Sequence, residues 1–320
     1  MKEHSTRLAL IAKLADGQFH SGEALGEALG ISRAAVSKHI KVLRSWGIDI
    51  FRLQGKGYSL ATKLELLDCD TILAQVKCPS LEVIPVIDST NQYLLDRIGT
   101  LPKGATCLAE YQQAGRGRRG RQWLSPFGSN LYLSMYWRLD AGIAAAMGLS
   151  LVVGVAIAEA LESLGAEGIK VKWPNDLYYQ DKKLAGILVE MSGQAGEAAH
   201  LVIGMGLNIA MPESEGEAIE QSWTNLSEAC DSLPARNKLA AALVNRLYDA
   251  LKDYEESGME GFTSRWNRLD NFLDRPVKLL MGNREVEGIA RGINNQGALL
   301  LETEQGVTPY LGGEISLRGC

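Results

Sequence analysis

The chain has 320 residues, 46% of them hydrophobic and 22% charged, with 34 glycines and 9 prolines. This balance excludes an intrinsically disordered chain and a fibrous repeat, and the length suits two or three globular domains of roughly 100–200 residues. The net charge is −5, but residues 1–62 carry nine lysines and arginines against five acidic residues, so a basic head precedes an acidic body. This asymmetry is typical of a protein whose head alone contacts nucleic acid.

The head shows the pattern of a winged helix-turn-helix. Apolar residues at helical spacing, serine caps and glycine stops predict three helices and a hairpin, over residues 7–15, 23–29, 33–46 and 48–60. The turn Gly30-Ile31-Ser32 joins the second helix to the third, and the hairpin forms the wing.

We expect the third helix and the wing to contact DNA. The expected DNA-binding residues are Ser32, Arg33, Ser37, Lys38, His39 and Lys41 on the helix and Arg52 and Lys56 on the wing. A small helical interaction domain with basic side chains is the alternative, but here the turn, the basic third helix and the wing occur together. Because phosphate contacts dominate affinity and one head carries a net charge of only +4, useful binding requires two heads on a two-fold site.

The second domain follows a helix predicted over residues 64–76. A strand over 81–87 runs into a helix over 92–98, with Ser89 and Thr90 between them. Hydroxyl groups at a helix start either bind a polarised oxygen of a ligand or cap the helix, and the local sequence favours capping.

Residues 115–120, Gly-Arg-Gly-Arg-Arg-Gly, match the G-x-G-x-x-G pattern of dinucleotide-binding folds. The context differs, because no helix opens at Gly120 and a strand over residues 131–137 follows. Four arginines that repel one another lie in and beside this flexible loop, so we expect an anion such as a phosphate-bearing ligand to order it. These arginines are Arg116, Arg118, Arg119 and Arg121. A solvated basic loop is the alternative, although mere solubility does not require such glycine content.

Two later segments carry candidate site residues. A strand over 169–173 leads to a hairpin over 177–190, and alternation places Lys183 on the same face as an apolar row. That lysine either extends to solvent or places its ammonium in a pocket beside a developing negative charge. Asn208, in a strand over 201–210, is expected to offer a polar group to the same pocket.

Residues 141–158 contain no charge and would span about 27 Å as a helix. Six alanines and three glycines lack the density of large apolar side chains that drives membrane insertion, and Glu159 follows at once, so we expect a buried core helix. The apolar run at 8–12 is too short for a signal peptide, and the five cysteines form no CxxC pair. We therefore expect a cytoplasmic protein with no membrane partner and no disulfide framework.

Towards the C-terminus, an amphipathic helix capped by Asn237 is predicted over residues 237–256. Beyond Phe272, short alternating strands with turns at 282–283, 294–297 and 312–313 predict a small β-barrel. His200 is the only histidine outside the head, which argues against a Ser-His-Asp triad, and no protein metal site is predicted. The predicted fold class is α+β, with a winged head at 1–62, a mixed α/β domain at 63–270 and the barrel at 271–320.

Several segments of the chain together resemble a known family. They are the winged head, Asp-Ser-Thr-Asn at 88–91, Gln112 through the loop at 115–120, Lys-Trp-Pro-Asn-Asp at 172–176 and Lys-Leu-Ala-Gly at 183–186. Over nearly its whole length, the chain closely resembles the enterobacterial bifunctional biotin protein ligases that also repress the biotin operon. Any one segment is a weak signal, whereas the ordered set is highly specific.

The resemblance implies a two-step reaction in the central domain. Biotin and ATP, with Mg²⁺, give biotinyl-5'-AMP and pyrophosphate, and a lysine of the biotin carboxyl carrier protein of acetyl-CoA carboxylase then attacks the mixed anhydride. The resemblance also implies a homodimer that forms when the intermediate is bound and that then occupies the biotin operator.

The same resemblance assigns roles to single residues. Lys183 and Arg118 are implied to be catalytic, because fixed positive charge offsets the repulsion between a carboxylate and the α-phosphate that it attacks. The implied substrate-binding residues are Ser89, Thr90, Asn91, Gln112, Gly115, Arg116, Gly117, Arg118, Arg119, Trp123, Asp176, Lys183, Gly186 and Asn208. Trp123 is expected to cover the intermediate, and closure of the arginine loop to exclude water.

Two alternatives stay open at this stage. A lipoate ligase shares the catalytic architecture in this comparison but gives no reason for a winged head, and a regulatory sensor would bind biotin without chemistry. Within the resemblance, residues 211–223 are expected to hold an apolar cluster over the adenine, but Pro212 and Ser214 are smaller and more polar. This difference predicts weaker binding of the intermediate or weaker coupling to dimerisation.

Overall fold

The computed structural model describes residues 4–61, 64–194, 196–312 and 315–319. They form a helical head with a hairpin, a seven-stranded mixed sheet flanked by helices, and a five-stranded antiparallel sheet near the C-terminus. The predicted α+β fold class is therefore confirmed. The predicted domain boundary at residues 62–63 lies outside the described residues, as does Cys320.

The head folds as its caps predict. Its elements are α1 (Ser5–Leu14), α2 (Gly22–Leu29), α3 (Arg33–Ser45), β1 (Ile50–Leu53) and β2 (Gly57–Leu60). The hydroxyl of Ser21 accepts a hydrogen bond from Ala24 N at 3.0 Å, and that of Ser32 accepts one from Ala35 N at 3.1 Å. Gly30 ends α2 at a φ of 64°, in the left-handed region that favours glycine. The short turn that follows sets α3 across α2, as a helix-turn-helix requires.

The predicted helix over residues 64–76 is wrong in its first half, because only α4 (Cys69–Leu73) is helical. The backbone before it binds elsewhere: Leu67 N donates to the Glu110 carboxylate at 2.5 Å. Asp68 then caps α4. The segment that leaves the head is thus tied in an extended conformation to the central domain.

The central sheet contains the strands that the sequence predicts there and one more, at residues 106–112, for which no strand is predicted. They are β3 (Leu81–Ile87), β4 (Thr106–Gln112), β5 (Asn130–Leu139), β6 (Lys170–Lys172), β7 (Asp176–Tyr179), β8 (Lys182–Ser192) and β9 (Ala199–Asn208). Their order is β3-β4-β5-β9-β8-β7-β6, with β3 and β4 parallel and the other neighbours antiparallel. The hairpin between β7 and β8, within the predicted range 177–190, turns at Gln180 and Asp181, both at positive φ.

Among the described residues, five α-helices follow β3 in this part of the chain. They are α5 (Thr90–Leu95), α6 (Leu149–Ser163), α7 (Glu213–Gly216), α8 (Arg236–Ser257) and α9 (Thr263–Leu269). The predicted cap of α8 is wrong: Ala235 precedes the helix, and the Asn237 amide instead donates to Glu65 at 2.9 Å and to the Leu66 carbonyl at 3.0 Å. Asn237 therefore fastens the segment that leaves the head.

The uncharged run at 141–158 forms the core helix α6, preceded by a 3₁₀ turn over Ile143–Ala146. The helix begins at Leu149, later than the run itself, because Gly148 has a φ of 83°. In the part of the chain that the structure describes, one stretch, Ile143–Ser163, has the length and composition of a membrane span. More than half of its most apolar window is buried inside the protein, where α6 packs against α8 and the sheet. The expected core packing is therefore observed.

The C-terminal module is a small antiparallel sheet. Its strands are β10 (Pro276–Met281), β11 (Arg284–Ile293), β12 (Leu299–Thr303), β13 (Gly306–Tyr310) and β14 (Ile315–Gly319), in the order β13-β12-β11-β10-β14. Among the residues described, no pairing joins β13 to β14, so the predicted barrel is an open sheet here. Of the turn predicted at 312–313, Gly313 lies outside the described residues.

Candidate active site and DNA-binding surface

A cavity of about 1180 Å³ opens where strands β4, β8 and β9 meet the loops that follow β4 and β6. Every residue that the sequence analysis names as substrate-binding lies on its wall: Ser89, Thr90, Asn91, Gln112, Gly115, Arg116, Gly117, Arg118, Arg119, Trp123, Asp176, Lys183, Gly186 and Asn208. The fold thus brings four separated segments to one place. What each residue binds stays a prediction.

The start of α5 contributes polar groups that other side chains hold in position. The Ser89 hydroxyl accepts from Gln92 N at 3.4 Å, so Ser89 caps the helix as predicted. The backbone N–H and the hydroxyl of Thr90 both donate to Gln112 Oε1, at 2.9 and 3.1 Å. Gln112 Nε2 in turn donates to Ser125 Oγ at 3.1 Å. This part of the wall can recognise a planar polar group because its own donors and acceptors are already oriented.

The arginine loop, residues 115–121, is shaped by close contacts. A Cβ at Gly115 would lie 2.5 Å from the Trp123 carbonyl oxygen, so only glycine fits there. Arg118 Nη1 donates to Asn175 Oδ1 at 2.8 Å, and burial lowers the pKa of Arg118. Contacts with the rest of the domain therefore offset part of the repulsion among the loop arginines. Ordering of the loop by an anion stays a prediction.

Lys183 reaches the cavity because strand β8 contains a bulge. The pairing of β7 with β8 shifts register at this point and leaves Leu184 as an extra residue. The predicted shared face of Lys183 and Ala185 is therefore wrong. The extra residue moves Lys183 to the face of Gly186, where a Cβ would lie 3.3 Å from the lysine Cε. Of the two orientations that the sequence left open, the structure has the pocket orientation.

The ammonium of Lys183 lies beside a carboxylate and an indole ring. Its Nζ is 2.9 Å from Asp176 Oδ1 and 5.5 Å from the centroid of Trp123. The indole packs so closely on the sheet that a Cβ at Gly186 would lie 2.9 Å from it, and one at Gly206 would meet it as well. Gly206 was not predicted as a site residue, although a glycine inside a strand is a signal of close approach.

Three cations on the cavity wall were also missed, namely Lys172, Arg275 and Arg318. The buried Lys172 donates to the Tyr178 hydroxyl at 2.7 Å, and burial lowers the pKa of this lysine to about 8. Asp176 acts in the opposite direction, while Arg318 contributes to the lowering. Arg318 lies on β14, and no local pattern in the sequence relates that strand to the cavity. The cavity therefore has a cationic side that extends beyond Lys183 and Arg118.

Asn208 lines the cavity, but its amide also holds neighbouring backbone. Its Nδ2 donates to the Thr224 carbonyl at 3.2 Å, and its Oδ1 accepts from Asn130 Nδ2 at 3.4 Å. The segment at 211–223, expected to be small and polar, has an apolar side: Met211 is buried and Gly216 packs against Trp223. The apolar contacts of this segment thus come from Met211 and Trp223, which were not named among its expected features.

The head presents four of its predicted DNA-binding cations to solvent. Lys38, Lys41, Arg52 and Lys56 are exposed, and none of them forms an ion pair with a residue that the structure describes. Lys38 and Lys41 lie on α3, and the other two lie on the wing. Such a surface suits contacts with phosphate groups.

The other four predicted DNA-binding residues are more constrained. The Ser32 hydroxyl already caps α3, and Arg33 lies 3.3 Å from Glu23. Ser37 and His39 are partly buried. The pKa of His39 is lowered mainly by this burial and, to a smaller extent, by the nearby charge of Arg7. Both causes disfavour the charged form of His39.

The C-terminal end of α3 touches the cavity. Trp46, directly after α3, stacks on Tyr111 with centroids 5.3 Å apart and on Phe127 at 6.0 Å. Phe127 N donates to the Trp46 carbonyl at 2.7 Å. Ser45 and Trp46 also belong to the cavity wall. The helix that carries the exposed Lys38 and Lys41 thus ends against Tyr111 and Phe127, which precede and follow the arginine loop in sequence.

Three family models match successive parts of the chain. The HTH domain model matches residues 6–59, the biotin/lipoate A/B protein ligase family model matches 83–208, and the biotin protein ligase C terminal domain model matches 272–318. These matches coincide with the head, the cavity-bearing sheet and the C-terminal sheet. Fold and site together define a ligase of the biotin/lipoate class that carries a helix-turn-helix head.

The full chain is 59% identical to the bifunctional ligase/repressor BirA of Salmonella typhimurium, with all of both chains covered. It is also 59% identical to the protein of the same name from Escherichia coli strain K12, over 100% of this chain and 99% of that one. A solved biotin protein ligase from Aquifex aeolicus, in complex with biotin and ATP, has a TM-score of 0.66 at 31% identity and covers 76% of this chain and 100% of its own. The chain therefore belongs to the bifunctional ligase/repressor family, and the predicted resemblance is confirmed.

Proposed function

We propose that this chain makes biotinyl-5'-AMP from biotin and ATP, transfers biotin to a lysine of a carrier protein, and represses the biotin operon as a dimer with the intermediate bound. Family membership supports both activities. The observation that carries the proposal is one cavity in which oriented polar groups at the start of α5 share a wall with the cations Lys183, Arg118 and Lys172.

In the first step a biotin carboxylate oxygen bonds to the α-phosphorus of ATP, and the bond from that phosphorus to pyrophosphate breaks. Two anions must approach each other, so fixed positive charge lowers the barrier. Lys183 supplies such a charge, and Asp176 at 2.9 Å orients its ammonium. Arg118 supplies another, oriented by Asn175 at 2.8 Å. Mg²⁺ would enter as part of the ATP substrate complex and would supply further positive charge beside the phosphate groups.

In the second step a lysine amine of the biotin carboxyl carrier protein of acetyl-CoA carboxylase attacks the acyl carbon, loses a proton and releases AMP. The mixed anhydride is sensitive to water until the acceptor arrives. Trp123, packed on Gly186 and Gly206, covers the sheet at this point, and the arginine loop borders the same space. Both features reduce access of water to the intermediate.

Repression requires that binding of the intermediate in the cavity affect the DNA-binding head. The Trp46 stack on Tyr111 and Phe127 supports such a link, because it joins the end of α3 to residues that flank the arginine loop. We infer that the bound intermediate favours a homodimer whose two heads occupy a two-fold operator. The proposed division is a head at 1–62, a ligase domain at 63–270 and a C-terminal module at 271–320, in a cytoplasmic protein without a membrane partner.

The test is incubation of the purified chain with ATP, Mg²⁺, a biotin carboxyl carrier domain and either biotin or lipoate. We expect the intact mass of the carrier to increase by one biotinyl group with biotin only. A gain with lipoate only would favour a lipoate ligase. No gain with either, together with measurable biotin binding, would leave a sensor without chemistry.

A further inference from the structure

Glu190 lies on strand β8 beside the cavity but is not part of its lining. Its side chain is 28% exposed, and it contacts two residues that do form the wall. Neither the local sequence pattern nor the proposed chemistry gives it a role. Its geometry therefore calls for a separate explanation.

The first contact is an ion pair with the arginine loop. Arg116 Nη2 donates to Glu190 Oε2 at 2.8 Å, while Arg116 Nη1 donates to Gln92 Oε1 at 2.6 Å. Two elements, β8 and α5, thus hold one guanidinium through different nitrogens. A planar guanidinium with two acceptors has little freedom to rotate, so this contact also restrains the loop backbone that carries it.

The second contact is with the amide of Asn91. Its Nδ2 donates to the same Glu190 oxygen at 2.8 Å and to the Leu188 carbonyl at 3.3 Å. A carboxylate only accepts hydrogen bonds, so it turns the amide nitrogen toward β8 and the amide oxygen toward Ser134. The Ser134 hydroxyl lies 2.5 Å from Asn91 Oδ1 and 2.7 Å from Thr90 Oγ1. One carboxylate oxygen therefore links the arginine loop to the polar groups at the start of α5.

We propose that Glu190 is a positioning residue for biotin: it fixes the place of Arg116 and the orientation of the Asn91 amide before the substrate binds. This inference rests on the proposed function, which makes biotin a substrate of the cavity whose wall includes Asn91 and Arg116. Without the negative charge, the bond from Arg116 to residue 190 is a weaker hydrogen bond to a neutral acceptor. A side-chain amide at 190 can also turn its NH₂ group toward Arg116 and Asn91, so neither group is held in one orientation. Substrate binding must then order both groups, so affinity falls more than the rate of the chemical step.

If Glu190 had a purely structural role, its substitution would lower the unfolding temperature without a specific effect on biotin binding. An ion pair with more than a quarter of each side chain exposed contributes little to folding stability, so the unfolding temperature is not expected to change. The test therefore compares Glu190→Gln, which removes the charge at constant size, with Glu190→Asp, which keeps the charge. Glu197→Gln is the matched control, because Glu197 is an exposed carboxylate in the turn after the same strand.

Two readouts decide the question: steady-state pyrophosphate release at varied biotin, and the rate at which trypsin cuts the loop at 115–121, which is rich in arginine. For Glu190→Gln we expect the KM for biotin to rise about tenfold with kcat within about twofold, as for loss of a hydrogen bond to a charged group. Cleavage of the loop by trypsin is expected to be faster. Glu190→Asp is expected to recover part of both properties, and Glu197→Gln to match the wild type.

An unchanged KM with unchanged trypsin cleavage in Glu190→Gln overturns the proposal, and so does a defect confined to kcat or to the unfolding temperature. If the wild-type chain makes no biotinyl-5'-AMP, the proposed function fails instead. The trypsin comparison remains decisive in that case, because it reports whether Glu190 holds the loop independently of any turnover.

Discussion

The head and the cavity both depend on positive charge, but they hold it in opposite ways. On the head, Lys38, Lys41 and Lys56 are exposed and pair with no acidic residue that the structure describes. In the cavity, Arg116 lies 2.8 Å from a carboxylate and Lys183 lies 2.9 Å from another. The head has exposed charges without a paired carboxylate among the described residues, which suits an adaptable contact with a phosphate backbone, whereas carboxylates hold Arg116 and Lys183 of the cavity in position.

This difference follows from what each partner demands. Binding to DNA sums many phosphate contacts, none of which needs an exact position, and salt weakens all of them together. Phosphoryl transfer depends on cations that are already oriented toward the charge that develops, so one displaced group has a large effect. Single substitutions should therefore be costly in the cavity and mild on the head.

The largest effect is expected for Lys183→Met. Loss of this ammonium removes a fixed charge from the reacting centre, and pyrophosphate release should fall by about two to three orders of magnitude. Lys182→Met is the control, since Lys182 is exposed at the start of the same strand and should keep wild-type activity. Equal activity of the two variants would contradict the account of fixed charge.

A smaller loss is expected for Gly206→Ala. The added Cβ meets the indole of Trp123 and must displace it from the sheet, which opens the site to water. We expect biotinyl transfer to fall about tenfold or more, as for misplacement of a group that shapes an active site. Gly261→Ala, where no atom lies within 4 Å of the added Cβ, is the matched control. An active Gly206→Ala variant would mean that the position of the indole does not matter.

On the head, Lys41→Ala should weaken operator binding several-fold and reduce the slope of log K against log salt by about one, as for loss of one phosphate contact. Ligase activity should not change, because Lys41 is exposed on α3, away from the cavity wall. Fluorescence anisotropy at several salt concentrations measures the affinity for the operator and its dependence on salt. A hundredfold loss, or an unchanged slope, would show that this lysine acts as a fixed contact rather than as one adaptable charge.

The smallest effect concerns pH. In the folded chain the pKa of Lys172 is lowered to about 8, so its ammonium is mostly charged at pH 7 and mostly neutral at pH 9. The charged or titratable groups around it are Asp176, Tyr178, Lys183, Arg121 and Arg318. In the wild-type chain we expect the KM for ATP to rise a few-fold between pH 7 and 9. In Lys172→Met the KM for ATP should already be raised at pH 7 and should not change further with pH. A rise of equal size in the variant would assign the titration to another group.

The sequence predicts local features of this molecule well and tertiary ones unevenly. Serine caps place the starts of α2 and α3, and Gly30 places the end of α2, since those signals act within a few residues. All the substrate-binding residues that the family resemblance implies lie on the wall of one cavity. The orientation of Lys183 could not be decided, because alternation does not show an extra residue at Leu184. Arg318 reaches the cavity only through packing of the C-terminal module, which no local pattern encodes.

The measurement that tests the account most directly is binding of the chain to the promoter region of its own biotin operon, with and without biotinyl-5'-AMP, at one fixed salt concentration. If adaptable charges on a single head are too weak and the cavity ligand assembles two heads, the intermediate should tighten binding at least about tenfold, with a dimer appearing in sedimentation. Equal affinity in both states, with the chain monomeric throughout, would contradict the link between cavity and head.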